Sequence, residues 1–103
     1  MSTRIKVFVT QTAEDNFRAC VDYVERVLCQ HRAALDMADE FETFLQNVEL
    51  MPEMYPVMQD ERLREKSLRR ALVGNYVVVY RFEGNVVTVL GFFHQTQDYA
   101  RFF

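Results

Sequence analysis

The 103-residue sequence is poor in the residues on which several common classes of protein depend. Its three glycines, Gly74, Gly84 and Gly91, all lie in the last third, which excludes a glycine-rich phosphate-binding loop. There is no HExxH or CxxC motif. No apolar run approaches the roughly 18–20 residues that a membrane-spanning helix needs, and the first residues lack the apolar stretch of a signal peptide. We therefore expect a cytoplasmic protein with no membrane association.

Cysteine is also scarce, and positive charges are outnumbered by negative ones. Cys20 and Cys29 lie nine residues apart in a predicted helix, and this separation of about 13 Å is too long for a disulfide bond. With His31 nearby they form a C-x8-C-x-H spacing, which matches no standard zinc pattern, so we expect neither a metal nor a cofactor. The formal net charge is −3, so the molecule as a whole is not expected to be attracted to nucleic acid or to an anionic membrane.

Length and composition are those of a single soluble domain spanning residues 1–103, long enough to bury a core without metal or disulfide bonds. Charge is unevenly distributed along it. Residues 14–61 contain 12 acidic side chains against three basic ones, whereas residues 62–81 contain six basic side chains against Glu65. The basic segment is either a set of solvated faces on separate elements or an anion-facing surface that the fold creates.

Hydrophobic periodicity and turn residues predict an α+β fold. We expect a strand at residues 5–9, helices at about 12–30 and 34–50, a proline-containing loop at 51–60, and strands at 67–73, 76–82 and 86–93. The apolar face of the second helix is predicted to comprise Leu35, Ala38, Phe41, Leu45 and Val48. Tight turns join the last three strands into an antiparallel meander. The prediction is a small antiparallel sheet, formed by the N-terminal strand and this meander, packed against the N-terminal helix pair.

Side chains that could take part in catalysis or binding cluster near the end of the predicted sheet. They are Arg69, Arg70, Tyr76, Tyr80, Arg81, His94, Asp98 and Tyr99. A histidine just beyond a strand can act as a general acid or base, and nearby arginines could neutralise a phosphate, as a metal-free ribonuclease requires. The alternative is structural: His94 caps a strand by bonding to Asp98 or the backbone, and the tyrosines pack in the sheet. Arg69 and Arg70 point to opposite faces because they are neighbours in a strand.

Residues 69–98 resemble the RelE/ParE toxins of type II toxin–antitoxin (plasmid stabilisation) modules. The resemblance is carried by the segment from Arg69-Arg70 through Gly74-Asn75-Tyr76 to Tyr80-Arg81, and by His94 and Asp98 after the next strand. The order of predicted elements and the chain length also fit this family. The resemblance implies a RelE/ParE-like α+β fold over the whole chain.

Two activities are associated with this family, and the resemblance favours one of them. RelE-like members cut mRNA on the ribosome and typically carry an arginine in a Tyr-Arg-x-x-Tyr strand; here that position is Val77. Such nucleases are also usually basic, whereas this chain is acidic. We therefore expect a ParE-like toxin that binds a cellular target such as DNA gyrase. Its expected binding residues are Arg69, Arg70, Tyr76, Tyr80, Arg81, His94 and Asp98.

Two alternatives remain open. One is a RelE-like, ribosome-dependent mRNA endonuclease, metal-independent, with His94, Tyr99, Arg69 and Arg70 as its catalytic residues. The other is an interaction domain of the same fold that is not toxic. For the toxins, the resemblance implies a cognate antitoxin as partner and a toxin–antitoxin hetero-oligomer. The positive charge of residues 62–81 supplies a physical reason, because it would attract an acidic peptide.

Overall fold

The computed structural model describes residues 4–63 and 66–103. Strand β1 (Lys6–Val9) leads into helix α1 (Gln11–Asp22), a π-helical turn (Tyr23–Val27) and helix α2 (His31–Leu50). A 3-10 turn (Glu61–Leu63) precedes β2 (Leu68–Val73), β3 (Tyr76–Glu83) and β4 (Val86–His94), and a second 3-10 turn (Tyr99–Phe102) follows them. Neither helix in this part of the chain is long and apolar enough to cross a membrane.

The two helices form a hairpin that begins with a capped turn. The Thr10 side chain accepts a hydrogen bond from the Ala13 N–H (3.1 Å) and donates one to the Val89 carbonyl (2.9 Å), so it joins the start of α1 to the sheet. The chain reverses between α1 and α2 at Cys29, whose φ of 53° is unusual for a residue other than glycine. The hairpin therefore has a short, tightly constrained tip.

The four strands form one sheet in the order β1-β4-β3-β2. Two Gly-Asn loops connect the antiparallel meander, and Gly74 and Gly84 have φ values of 61° and 60°, which such two-residue turns favour. The α+β class and the helix pair are confirmed. The fully antiparallel sheet is wrong, because β1 runs parallel to β4 and the sheet is mixed. A long helical connection separates β1 from the meander, so no tight turn fixes the direction of β1.

The helices pack on one face of the sheet around a core of aromatic rings. Phe41 packs against Phe17 (4.6 Å between ring centroids) and Phe92 (5.5 Å), and Phe44 packs edge-on against Tyr80 (5.6 Å). The buried residues of α2 are Ala34, Met37, Phe41, Phe44 and Val48. The predicted apolar face of this helix was wrong at its start, since Leu35 and Ala38 are exposed. Met37 and Phe44 fill the interface instead. The buried face of α2 is therefore shifted by about one residue around the helix from the predicted face.

The other face of the sheet is covered by shorter segments. Its buried cluster comprises Met58, Leu63, Leu68, Val77, Val79, Phe93, Tyr99 and Ala100. Phe93 stacks on Tyr99 (5.8 Å) and Phe102 (5.5 Å) from the C-terminal segment. A β-bulge lies between β3 and β4, because Tyr80 pairs with Val89 and Val79 pairs with Gly91, which leaves Leu90 as the extra residue. The bulge transfers the residues after Leu90 to the opposite face of the sheet.

Candidate functional site

His94 lies at the end of β4, on the helix side of the sheet. Its ring packs edge-on against Tyr76 (5.5 Å between centroids). Its Nδ1 accepts the backbone N–H of Thr96 (3.2 Å) and lies 2.8 Å from the Thr96 hydroxyl. An acceptor at Nδ1 assigns the proton of the neutral ring to Nε2. The backbone bond matches the structural alternative for His94, but its partner is Thr96 and not Asp98.

Arg70 and Tyr99 lie together on the opposite face. The Arg70 guanidinium donates to the Tyr99 hydroxyl at 2.9 Å. Both residues line a polar cleft of about 380 Å³. Arg70 pairs with Val79 on β3, whereas His94 pairs with Tyr76. The two side chains are therefore about three residues, or about 10 Å, apart along the strand. They also lie on opposite faces of the sheet.

Arg69 occupies a third position. Its guanidinium donates to the carbonyl oxygens of Tyr55 (2.6 Å) and Glu53 (3.3 Å), which ties the proline-containing loop to β2. A backbone hydrogen bond also joins β2 to this loop, since the Arg70 N–H donates to the Pro56 carbonyl at 3.1 Å. The expectation that Arg69 and Arg70 face opposite sides is confirmed. Of the four candidate catalytic residues, the structure brings together only Arg70 and Tyr99.

The two candidate tyrosines of β3 differ in accessibility. Tyr80 is fully buried and donates its hydroxyl to the Pro52 carbonyl at 2.7 Å. Burial raises the pKa of Tyr80 to about 12. A side chain buried in this way is not accessible to a partner, so Tyr80 does not belong to an exposed binding surface in this structure. Tyr76 is half-buried and stacks on Phe92 (5.2 Å between centroids), and burial raises its pKa as well.

Asp98 belongs to an ion-pair cluster that the sequence did not reveal. The Arg62 guanidinium donates to both Asp98 oxygens (2.8 and 3.1 Å) and to both Asp60 oxygens (2.7 and 3.0 Å). The hydrogen bonds from Arg62 lower the pKa of Asp60 to about 2, and they also lower the pKa of Asp98. Arg62 therefore fastens the start of the C-terminal segment to the loop before β2. The pair is 36 residues apart in sequence, and no local pattern marks it.

The sheet face opposite the helices carries three exposed basic side chains. Lys6, Arg70 and Arg81 are exposed there, and Arg81 forms a long ion pair with Glu83 (4.0 Å). Phe8 and Leu72 lie on the same face with 56% and 57% of their surfaces exposed. By contrast, residues 11–50 carry nine acidic side chains against three basic ones. The fold thus separates an acidic helix layer from a basic, partly apolar sheet face.

No group of three or more potential metal ligands occurs among residues 4–63 and 66–103. The sequence does not indicate the pairing of Arg62 with Asp98, although Arg62 lies within the basic segment at residues 62–81.

Comparison with known proteins finds a similar solved structure and a matching family model. A chain from the chromosomal ParDE toxin–antitoxin system of P. aeruginosa superposes with a TM-score of 0.71 at 15% sequence identity, over 90% of this chain and 98% of that chain. No curated protein sequence matches the chain. A family model matches residues 7–99, and its description is the ParE toxin of the type II toxin–antitoxin system parDE. The chain therefore belongs to the ParE toxin family of type II toxin–antitoxin systems.

Proposed function

We propose that this ParE-type toxin acts in the cytoplasm by binding a cellular target such as DNA gyrase, and that a cognate antitoxin neutralises it. The observation that supports binding over RNA cleavage most strongly is the separation of His94 from Arg70 and Tyr99 by the sheet. A general acid or base and a cation can cleave RNA only when both reach one phosphate, at distances of about 3 Å. His94 and Arg70 cannot both contact one phosphate in this structure, because the sheet lies between them.

The environment of Val77 supports the same proposal. Val77 stands where the family resemblance expects an arginine in the RNA-cleaving relatives. Its side chain is buried in the same cluster as Tyr99 and Ala100. No phosphate can reach this position while the C-terminal segment covers it, and a valine could not stabilise the charge of a transition state.

For the antitoxin we propose an acidic segment that binds the basic sheet face. Lys6, Arg70 and Arg81 would supply electrostatic attraction, and Phe8 and Leu72 would supply apolar contact. Arg69 is not part of this surface, because its guanidinium is occupied by loop carbonyls. The resulting complex would be a toxin–antitoxin hetero-oligomer.

Induced expression of the full chain in bacterial cells tests the mode of action. We expect growth arrest accompanied by a change in the supercoiling of a reporter plasmid, before protein synthesis falls, and relief by co-expression of the antitoxin. Loss of translation with unchanged supercoiling would favour a ribosome-dependent nuclease. Unimpaired growth at high expression would favour a non-toxic interaction domain.

Charge reversal tests the antitoxin surface. We expect Lys6→Glu with Arg81→Glu to weaken antitoxin binding by at least about tenfold at low ionic strength, and by less at high salt, where surface charges are screened. Arg18→Glu with Arg32→Glu is the matched control, since it makes the same charge change on the helix layer. Equal effects of the two double variants would contradict the assignment of the sheet face.

A further inference from the structure

A second surface of the molecule has the opposite charge and a different shape. The helical hairpin and the Gly74-Asn75 loop at the end of the sheet enclose an open cleft of about 620 Å³. Its floor is apolar and comes from Cys20, Val24, Leu28, Ala33 and Met37. The cleft lies on the helix side of the sheet, away from the basic face proposed for the antitoxin. An apolar floor of this kind favours an aliphatic side chain as its occupant.

Aromatic rings line one side of this cleft. Tyr23, from the turn after α1, is half exposed, and Tyr76 and His94 come from the ends of β3 and β4. The faces of tyrosine rings attract cations within about 6 Å, with a preference for arginine. The hydroxyl groups also keep this side polar. This wall is suited to a cationic side chain that follows the aliphatic one.

Carboxylates line the other side. Glu40 lies so close to the loop that its Oε2 would be 2.6 Å from a Cβ atom at Gly74, and this places its charge at the cleft mouth. No hydrogen bond or ion pair to Glu40 occurs within the described residues. Asp36 lines the cleft too, but Arg32 lies 3.3 Å from it and partly offsets its charge. Glu40 is therefore the carboxylate whose charge is most available to a ligand.

We propose that this cleft is a second protein interface, which takes a basic amphipathic segment of a partner protein. An aliphatic side chain of that segment fills the apolar floor, and an adjacent arginine or lysine lies between the tyrosine rings and Glu40. The acidic helix layer that surrounds the cleft attracts such a segment and repels an acidic one. The cleft and the basic sheet face thus select segments of opposite charge, and one does not depend on the other.

A synthetic peptide provides the probe. A 12-residue, fluorophore-labelled helix of leucine, alanine and arginine is titrated with the full chain, and its anisotropy is compared with that of a peptide with glutamate in place of arginine. We expect the arginine peptide to bind at least about tenfold more tightly, because like charges across an interface are unfavourable. Equal binding of both peptides, or binding of neither, would overturn the proposal.

Two variants separate the cleft from general attraction to an acidic surface. Glu40→Lys is expected to weaken binding of the arginine peptide about tenfold, whereas Glu42→Lys makes the same charge change on α2 outside the cleft and should cost less than about threefold. Tyr23→Ala should also weaken binding through loss of ring surface. Equal effects of Glu40→Lys and Glu42→Lys would show non-specific attraction and would overturn the assignment.

The two cysteines give a test of position within one molecule. Cys20 lines the cleft, whereas Cys29 is exposed and does not. Saturating arginine peptide is expected to slow alkylation of Cys20 and leave Cys29 unchanged, as measured by mass spectrometry of the tryptic fragments that Arg26 separates. Equal protection of both thiols, or of neither, would contradict the site. The Glu40→Lys variant should still bind the antitoxin, because the antitoxin is proposed to bind the sheet face and not the cleft. If the arginine peptide does not bind the cleft, the proposed function is therefore unaffected.

Discussion

The two faces of the sheet are covered in different ways. On one face, two long helices bury an aromatic core that includes Phe17, Phe41, Phe44 and Phe92. On the other, short segments before β2 and after β4 cover a smaller cluster, and polar contacts from Arg62 and Arg70 hold these segments in place. Apolar burial contributes in proportion to area, whereas exposed ion pairs contribute little. The helix face therefore carries most of the stability, and we expect the C-terminal cover, defined here as residues 95–103, to open at lower cost than the helix layer.

Substitution of a phenylalanine by alanine on each face of the sheet should change the free energy of unfolding by very different amounts. Phe44→Ala removes a ring that is 1% exposed in the helix-side core, and we expect a loss of about 3–5 kcal/mol in the free energy of unfolding. Phe102→Ala removes a ring that is 55% exposed in the C-terminal segment, and we expect a loss below about 1 kcal/mol. Urea denaturation measures both. Similar losses would show that the C-terminal segment contributes as much stability as the helix-side core.

Tyr80→Phe should have an intermediate effect. The substitution keeps the ring in the core and removes only the hydroxyl that donates to the Pro52 carbonyl. We expect a cost of about 1–2 kcal/mol, because a partly buried carbonyl oxygen loses its partner. The same denaturation experiment measures it. Tyr55→Phe serves for comparison, because it removes a hydroxyl on a less buried ring that accepts a longer hydrogen bond from Asn47 (3.3 Å). A neutral Tyr80→Phe variant would mean that the contact does not tie the loop to the core.

The ion pairs that Arg62 forms with Asp60 and Asp98 should contribute less to stability than the buried side chains of Phe44 and Tyr80. The pKa of Asp60 is about 2 instead of the ordinary 3.8, so its pairing with Arg62 contributes stability above a pH of about 4 and loses that contribution as pH falls through about 2. Arg62→Gln should return the pKa of Asp60 towards 3.8. Carboxyl-carbon NMR during an acid titration measures this directly. An unchanged pKa in the variant would place its cause elsewhere.

Much of the fold was predictable because its signals are local. The β-branched runs of β3 and β4 and the Gly-Asn loops define hairpins within a few residues. The direction of β1 was not predictable, since it depends on packing after a long helical connection. The buried face of α2 was also misplaced at Leu35, where an exposed leucine mimics the helical period.

The candidate site was less predictable than the fold, and the β-bulge at Leu90 is the main reason. Strict alternation from Val89 would have placed His94 on the same face as Arg70. The extra residue moves His94 to the helix side, as a one-residue slip in a strand always does. Arg62 and Asp98 meet through the tertiary fold alone. A single sequence contains no local signal for either feature.

We propose that this toxin acts by binding a target and not by cutting RNA, and an mRNA cleavage assay on purified ribosomes distinguishes the two modes of action. Wild type and His94→Ala are incubated with programmed ribosomes, and cleavage is mapped codon by codon, with a ribosome-only control. We predict no cleavage above that control by either protein, because His94 and Arg70 lie on opposite faces of the sheet. Robust cleavage by wild type that His94→Ala abolishes would instead identify the protein as a ribonuclease with rearranged catalytic residues.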